Sequence, residues 1–191
     1  MLYHTDKIKR ARLQGYAFLA AFTLCIPAAN WMILHVGVTC VPNGPCLIPV
    51  APEMMAPSGV IMIGLALVLR DLVQRRLGII WAVAAIFGGA LLSAFLTPPS
   101  LVVASGVAFL LSELADCAVY TPLQRKRLVL AVFASGIVGL VIDSALFLYL
   151  AFGSLEFLLP QIIGKSWMIL LSLPVIAWLR ARDERLGLQP A

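Results

Sequence analysis

Apolar residues along this chain fall into long, nearly unbroken runs rather than short alternating ones, and about 20 consecutive apolar residues span the hydrocarbon core of a bilayer as a helix. Six runs reach that length, with approximate limits 13–35, 58–76, 78–97, 100–121, 128–152 and 157–179. The first exceeds the usual signal-peptide core of about 7–15 residues and is read as a span. The pattern predicts an all-α integral membrane protein: one transmembrane domain over residues 1–191, folded as a compact bundle of six transmembrane helices. Pro27 predicts a kink in the first span; Pro57 and Ser58 predict the start of the second, and Gly78 its C-cap. The third span, with Gly88, Gly89 and Ser93, reads as a packing helix. The turn Thr97, Pro98, Pro99, Ser100 allows only an antiparallel hairpin, and the Pro- and Gly-rich segment 36–57 reads as a loop.

Cations give the bundle a direction. Lys7, Lys9, Arg10 and Arg12 precede the first span, Arg75 and Arg76 close the second, Arg125, Lys126 and Arg127 separate the fourth from the fifth, and Arg180, Arg182 and Arg185 follow the sixth. Segments 36–57, 97–99 and 153–156 hold neither Lys nor Arg. The positive-inside rule therefore predicts that both termini are cytoplasmic. Composition agrees with a membrane location: 62% of residues are hydrophobic and 12% charged, against about 25% charged in soluble domains. The formal net charge of +5 belongs to the cytoplasmic face, where anionic lipid headgroups are the expected contact and nucleic acid is not needed.

The polar exceptions inside the runs carry the chemistry. In the fourth span Ser105, Phe109, Glu113, Asp116 and Tyr120 share one helical stripe, opposite Leu110, Leu111, Leu114 and Cys117, which suit lipid or packed helices. Each intramembrane carboxylate costs about 2.5–3.5 kcal/mol on insertion scales, so the stripe reads as one wall of a polar binding cavity. At 1.5 Å per residue, Asp143 lies about 22 Å from the start of the fifth span and Lys165 about 12 Å from the outer end of the sixth, depths that let them pair. Arg70, about 18 Å from Ser58, matches Glu113 in the inner half. For Asp71 an i,i+4 pair with Arg75 is preferred over ligand contact. Asn30, beyond Pro27, either faces a ligand or bonds a neighbouring helix. The spans hold Arg70 and Lys165 against Asp71, Glu113, Asp116 and Asp143, and this surplus of acid suits a proton, a cation or a donor-rich solute.

Other features bound the function. Ser58, Ser105 and Ser135 each precede glycine and a β-branched residue; Glu113 and Asp143 follow the last two by eight positions, a weak echo of transporter repeats. Cys40 and Cys46 would form a loop disulfide in an oxidising compartment, while Cys25 and Cys117 act as small apolar groups. The sequence holds no HExxH or CxxC pattern, and its two histidines are His4 and His35, so neither a metal centre nor a cofactor is expected. With no GxSxG elbow or nucleophile–base spacing, no catalytic residue is assigned.

Taken together, PSGVIMIGLALVLRDLVQRRLG, SGVAFLLSELADCAVYTPL and SGIVGLVIDSALF, followed by Lys165, resemble the queuosine precursor transporter family, also called the vitamin uptake transporter group. The resemblance covers about residues 13–180 and is strongest at Arg70-Asp71 and Ser112-Glu113-x-x-Asp116. It implies a multi-pass protein of the bacterial inner membrane that imports 7-deazaguanine precursors, such as 7-cyano-7-deazaguanine and 7-aminomethyl-7-deazaguanine, for tRNA queuosine synthesis. On that reading Glu113 or Asp116 accepts the N1-H and 2-amino edge of the base, and Lys165, Gln161 or Asn30 donates to O6. Phe109, Tyr120 or Trp167 stacks on the ring, although each is more often plain packing, and Arg70 and Asp143 complete the set. Two rival readings stay open: a substrate-capture subunit of an energy-coupled vitamin importer, docking through Ala17 and Ala21, and a transporter of another nucleobase-like or vitamin solute. A coupling proton or ion and a homo-oligomer are also left open.

Overall fold

The computed structural model describes residues 2–42, 44–97 and 101–188, with side chains described from residue 9 onward. Six α-helices occur among the described residues: α1 (Leu2–His35), α2 (Val60–Leu77), α3 (Ile79–Leu96), α4 (Val102–Leu123), α5 (Leu128–Phe152) and α6 (Leu158–Leu186). The apolar runs locate them all, but α1 and α6 extend beyond the run limits into basic sequence. Hydropathy marks where a helix meets lipid, whereas the backbone ladder continues until something breaks it. In α6 the extension is held by an Arg180–Glu184 pair at 2.8 Å and ends at Gly187, whose φ of 67° favours glycine. The turn residues 98–100 lie outside the described residues.

Five of the helices are long and apolar enough to cross a membrane; α2, with Arg70, Asp71, Arg75 and Arg76, falls outside that set. Its position explains how it tolerates four charges. α2 packs against every other helix, and all of its residues from Leu67 to Arg76 are buried. One of its apolar faces joins Leu67, Val68 and Leu72 to Tyr120 of α4, Leu140 of α5 and Ile169 of α6. The other joins Ala66 and Leu69 to Phe22 and Cys25 of α1 and Ala85 of α3. At its far end a single residue, Gly78 with φ 94°, turns the chain into α3, and its N–H caps the Gln74 carbonyl at 2.8 Å as the sequence predicts. The start differs: Gly59 occupies the N-cap position without a side-chain bond, and Ser58 instead donates to the Met32 carbonyl of α1 at 2.7 Å.

The segment read as a loop contains a small sheet, β1 (Thr39–Cys40), β2 (Cys46–Ala51) and β3 (Met54–Pro57), antiparallel in the order β1-β2-β3. Two prolines masked it. Pro57 ends an edge strand, and Pro49 sits where the β2–β3 register shifts, the two kinds of position where a sheet accepts proline. A disulfide joins Cys40 to Cys46 across the β1–β2 pair. Val50 and Ala56 cover Val60 of α2, fixing the sheet over one end of the bundle.

The distribution of polarity is inverted relative to a soluble protein. Arg70, Asp116 and Lys165 are 0% exposed, while Ile80 is 80%, Phe95 79% and Val103 72% exposed. Large apolar side chains cover the outside and charges fill the middle, which places the bundle in lipid as a multi-pass membrane protein.

Candidate functional site

Arg70, in the C-terminal half of α2, is the hub of the buried centre. Its Nε donates to Glu113 Oε2 at 3.0 Å, its Nη1 lies 3.0 Å from Asp71 Oδ1, and its Nη2 meets Asp116 Oδ1. Nη1 also reaches Gln74 Oε1 at 3.5 Å, and the guanidinium lies 5.9 Å from the centroid of the Tyr120 ring. One cation thus faces three carboxylates, an arrangement only a planar fork with five donors accommodates. The helical stripe makes this geometry: Glu113, Asp116 and Tyr120 occupy successive turns on the face of α4 turned toward α2, and all three are buried.

A second cluster sits beside the first. Lys165 of α6 donates to Asp143 Oδ2 at 2.6 Å, Ser144 Oγ at 2.7 Å and Gln161 Oε1 at 3.2 Å, using all three ammonium protons. The pairing at matched depth predicted from residue counts is present. α5 links the two clusters. Ser135 donates to Asp71 Oδ2 at 3.0 Å, Gly139 one turn on lies so close to α4 that a Cβ there would sit 3.0 Å from Asp116 Oδ2, and Asp143 follows one turn later. Two cations and four carboxylates therefore form one polar core, in which Asp116 Oδ2 and the Tyr120 hydroxyl have no hydrogen-bond partner among the described residues.

The structure corrects the reading of Asp71. Its expected partner Arg75 turns instead to Asp183 of α6, donating from Nε at 3.0 Å and Nη2 at 2.9 Å; Arg76 joins the same carboxylate at 3.0 and 2.8 Å. Residues four apart on a helix differ by only about 40° around its axis, so height and not angle separates the two: Asp71 is taken by Arg70 and by Ser135 of α5, while Arg75, one turn nearer the end of α2, meets Asp183 in the last turns of α6. Asp183 was hidden from sequence reasoning because it lies beyond the last apolar run.

Of the other candidates, Gln161 belongs to the core, where its Oε1 accepts from Lys165. Among the described residues Asn30 bonds within its own helix, its Nδ2 donating to the Ile26 carbonyl one turn back at 3.0 Å. Trp167 is half exposed and donates from Nε1 to the Val50 carbonyl of β2 at 2.8 Å, an anchor for the sheet. Phe109 packs in the α1–α2–α3 cluster, 6.3 Å from Phe22 between ring centroids. Three polar groups joined the core unpredicted. Gln74, four residues after Arg70, donates to Thr121 at 2.9 Å; Ser135, which in sequence shows only the repeat pattern, donates to Asp71; Ser144 adjoins Asp143 and accepts from Lys165. The i,i+4 spacing from Arg70 was the available signal for Gln74. Cys117, placed opposite the polar stripe, is buried and lies 3.4 Å from Gln74 Oε1.

Comparison with known proteins gives one match. Residues 55–179 match the family model described as "Putative vitamin uptake transporter". No curated protein and no solved structure matches the chain. The matched stretch runs from β3 into α6 and contains every residue of the polar core, while Asn30 and Asp183 lie outside it. Five helices long and apolar enough to cross a membrane, a buried charged centre and a match over most of the chain lead to one assignment: this protein belongs to the vitamin uptake transporter family.

Proposed function

We propose that the chain imports a queuosine precursor, 7-cyano-7-deazaguanine or 7-aminomethyl-7-deazaguanine, across the bacterial inner membrane, as the family resemblance of its motifs implies. The observation that supports this reading is the buried core itself, in which Arg70 and Lys165 are outnumbered by Asp71, Glu113, Asp116 and Asp143. In a low-dielectric interior such a surplus is neutralised by protons or by the donors of a bound solute. A 7-deazaguanine presents N1-H and a 2-amino group side by side, a donor pair that one carboxylate accepts in bidentate fashion. Glu113 is assigned that contact, because a single hydrogen bond from Arg70 holds it and can be exchanged. Gln161 keeps its amide nitrogen to donate to the O6 carbonyl, and the Tyr120 ring beside Arg70 offers a stacking face worth about 1–3 kcal/mol.

Arg70 and Lys165 are fully enclosed, so ligand entry requires α2 and its neighbours to separate, alternately toward the two sides of the membrane. The test is rescue of tRNA queuosine in a strain that can neither make nor import the deazapurine. The wild-type chain restores the modification, with guanine, adenine and biotin as graded competitors. Glu113→Gln fails to restore it at equal membrane abundance; a well-expressed Glu113→Gln protein with normal rescue removes Glu113 from the site.

A further inference from the structure

At the basic end of the bundle two hollows meet at one residue, Arg180. The first, about 440 Å³ in volume, is a groove between α5 and α6 walled by Val129, Leu130, Phe133 and Leu173, with Arg127 and Arg180 at the helix-end side. The second, about 270 Å³, is polar and is lined by Arg75, Gln124, Arg125, Asp183 and Glu184 as well as Arg180. Apolar walls running toward the membrane core and cations at the rim are the two halves of a phospholipid site.

Charge and hydrogen bonding narrow the headgroup. Four arginines line the pair of hollows against two acids, and those acids are already engaged, Asp183 by Arg75 and Arg76 and Glu184 by Arg180. Arg125 and Arg127 form no ion pair among the described residues. The site is therefore set for an anion. Gln124 lines the polar hollow, is 5% exposed, and its Oε1 accepts no hydrogen bond among the described residues. A buried acceptor without a donor is unfavourable, and a hydroxyl-bearing ligand would relieve it. An ammonium headgroup would supply a donor too, but it would face the surplus of arginines, whereas a glycerol headgroup brings hydroxyls without positive charge.

We propose that this end of the chain binds an anionic phospholipid of the phosphatidylglycerol type. Its phosphate sits on Arg127 and Arg180, its headgroup hydroxyls reach Gln124, and an acyl chain lies along Leu130 and Phe133. The site is separate from the polar core, and its test does not depend on the transported solute.

The experiment measures lipid retained by the purified protein in native mass spectrometry, together with thermal unfolding in detergent. Phosphatidylglycerol, phosphatidylcholine with the same acyl chains, and soluble glycerol 3-phosphate are added in turn. Phosphatidylglycerol is retained and raises the unfolding temperature above the phosphatidylcholine value, and glycerol 3-phosphate has no effect at the same concentration. Arg127→Gln and Arg180→Gln, both at accessible positions, each weaken retention about fivefold and together remove the preference. Gln124→Leu lowers retention of phosphatidylglycerol while leaving that of phosphatidylcholine unchanged. Equal retention of the two lipids, or an undiminished preference in the double arginine variant, overturns the proposal. Stabilisation by glycerol 3-phosphate alone overturns it as well, in favour of a soluble phosphate ligand.

Discussion

A guanidinium surrounded by three carboxylates inside lipid is held by necessity, since each group would be costly there alone and none can turn to water. The two clusters nevertheless differ in kind. Lys165 is saturated, with three donors on three acceptors, and reads as a structural clamp; Arg70 shares itself among partners that outnumber it. Lys165→Met leaves Asp143 buried and unpaired and is expected to cost about 3–5 kcal/mol, whereas Lys165→Met with Asp143→Leu recovers most of that loss. Chemical or thermal unfolding of the purified variants checks this, and a double variant as unstable as the single one would show that the pair does more than satisfy itself. The pairing partners of Lys165 and Glu113 were legible because depth along a helix follows from residue number. The partners of Asp71 and Arg75 were not, because those depend on which side chains of neighbouring helices reach α2 at each height, and a single sequence does not say which helices are neighbours.

Among the elements, α2 organises the bundle. A hydropathy criterion leaves it out because of its four charges, yet those charges face protein on every side and the helix is the most enclosed of the six. It approaches α6 closely, for a Cβ added at Gly64 would stand 2.5 Å from the Lys165 carbonyl oxygen. Backbone rather than a flexible side chain is in the way. Gly64→Val is therefore expected to force α2 and α6 apart beside Lys165, lowering stability by about 1–3 kcal/mol, read as a fall in unfolding midpoint in detergent. An unshifted midpoint would mean that the two helices do not meet so closely. The helices were legible because a bilayer demands apolar runs of fixed length. The small sheet was not, because strands of two to six residues interrupted by prolines leave no period to read.

For the molecule as a whole, the charged centre, the apolar exterior and the basic rim define a membrane protein with a polar interior. The proposed topology has six spans, with both termini and the Arg125–Arg127 turn in the cytoplasm and the disulfide-bearing sheet outside. Reporter fusions after Leu188 and within residues 36–57 test it: the first reports cytoplasm and the second the outer side, and the reverse would overturn the orientation. Uptake by this chain in cells lacking any coupling ATPase separates a self-sufficient importer from a capture subunit. The most direct test of the central claim, that the acids gathered around Arg70 read the solute, is equilibrium binding of labelled 7-cyano-7-deazaguanine to purified wild-type and Glu113→Gln protein. The account predicts saturable binding that weakens about 10- to 100-fold in the variant, the loss of hydrogen bonds to one charged group. Equal affinity in the two proteins, both folded, would contradict it.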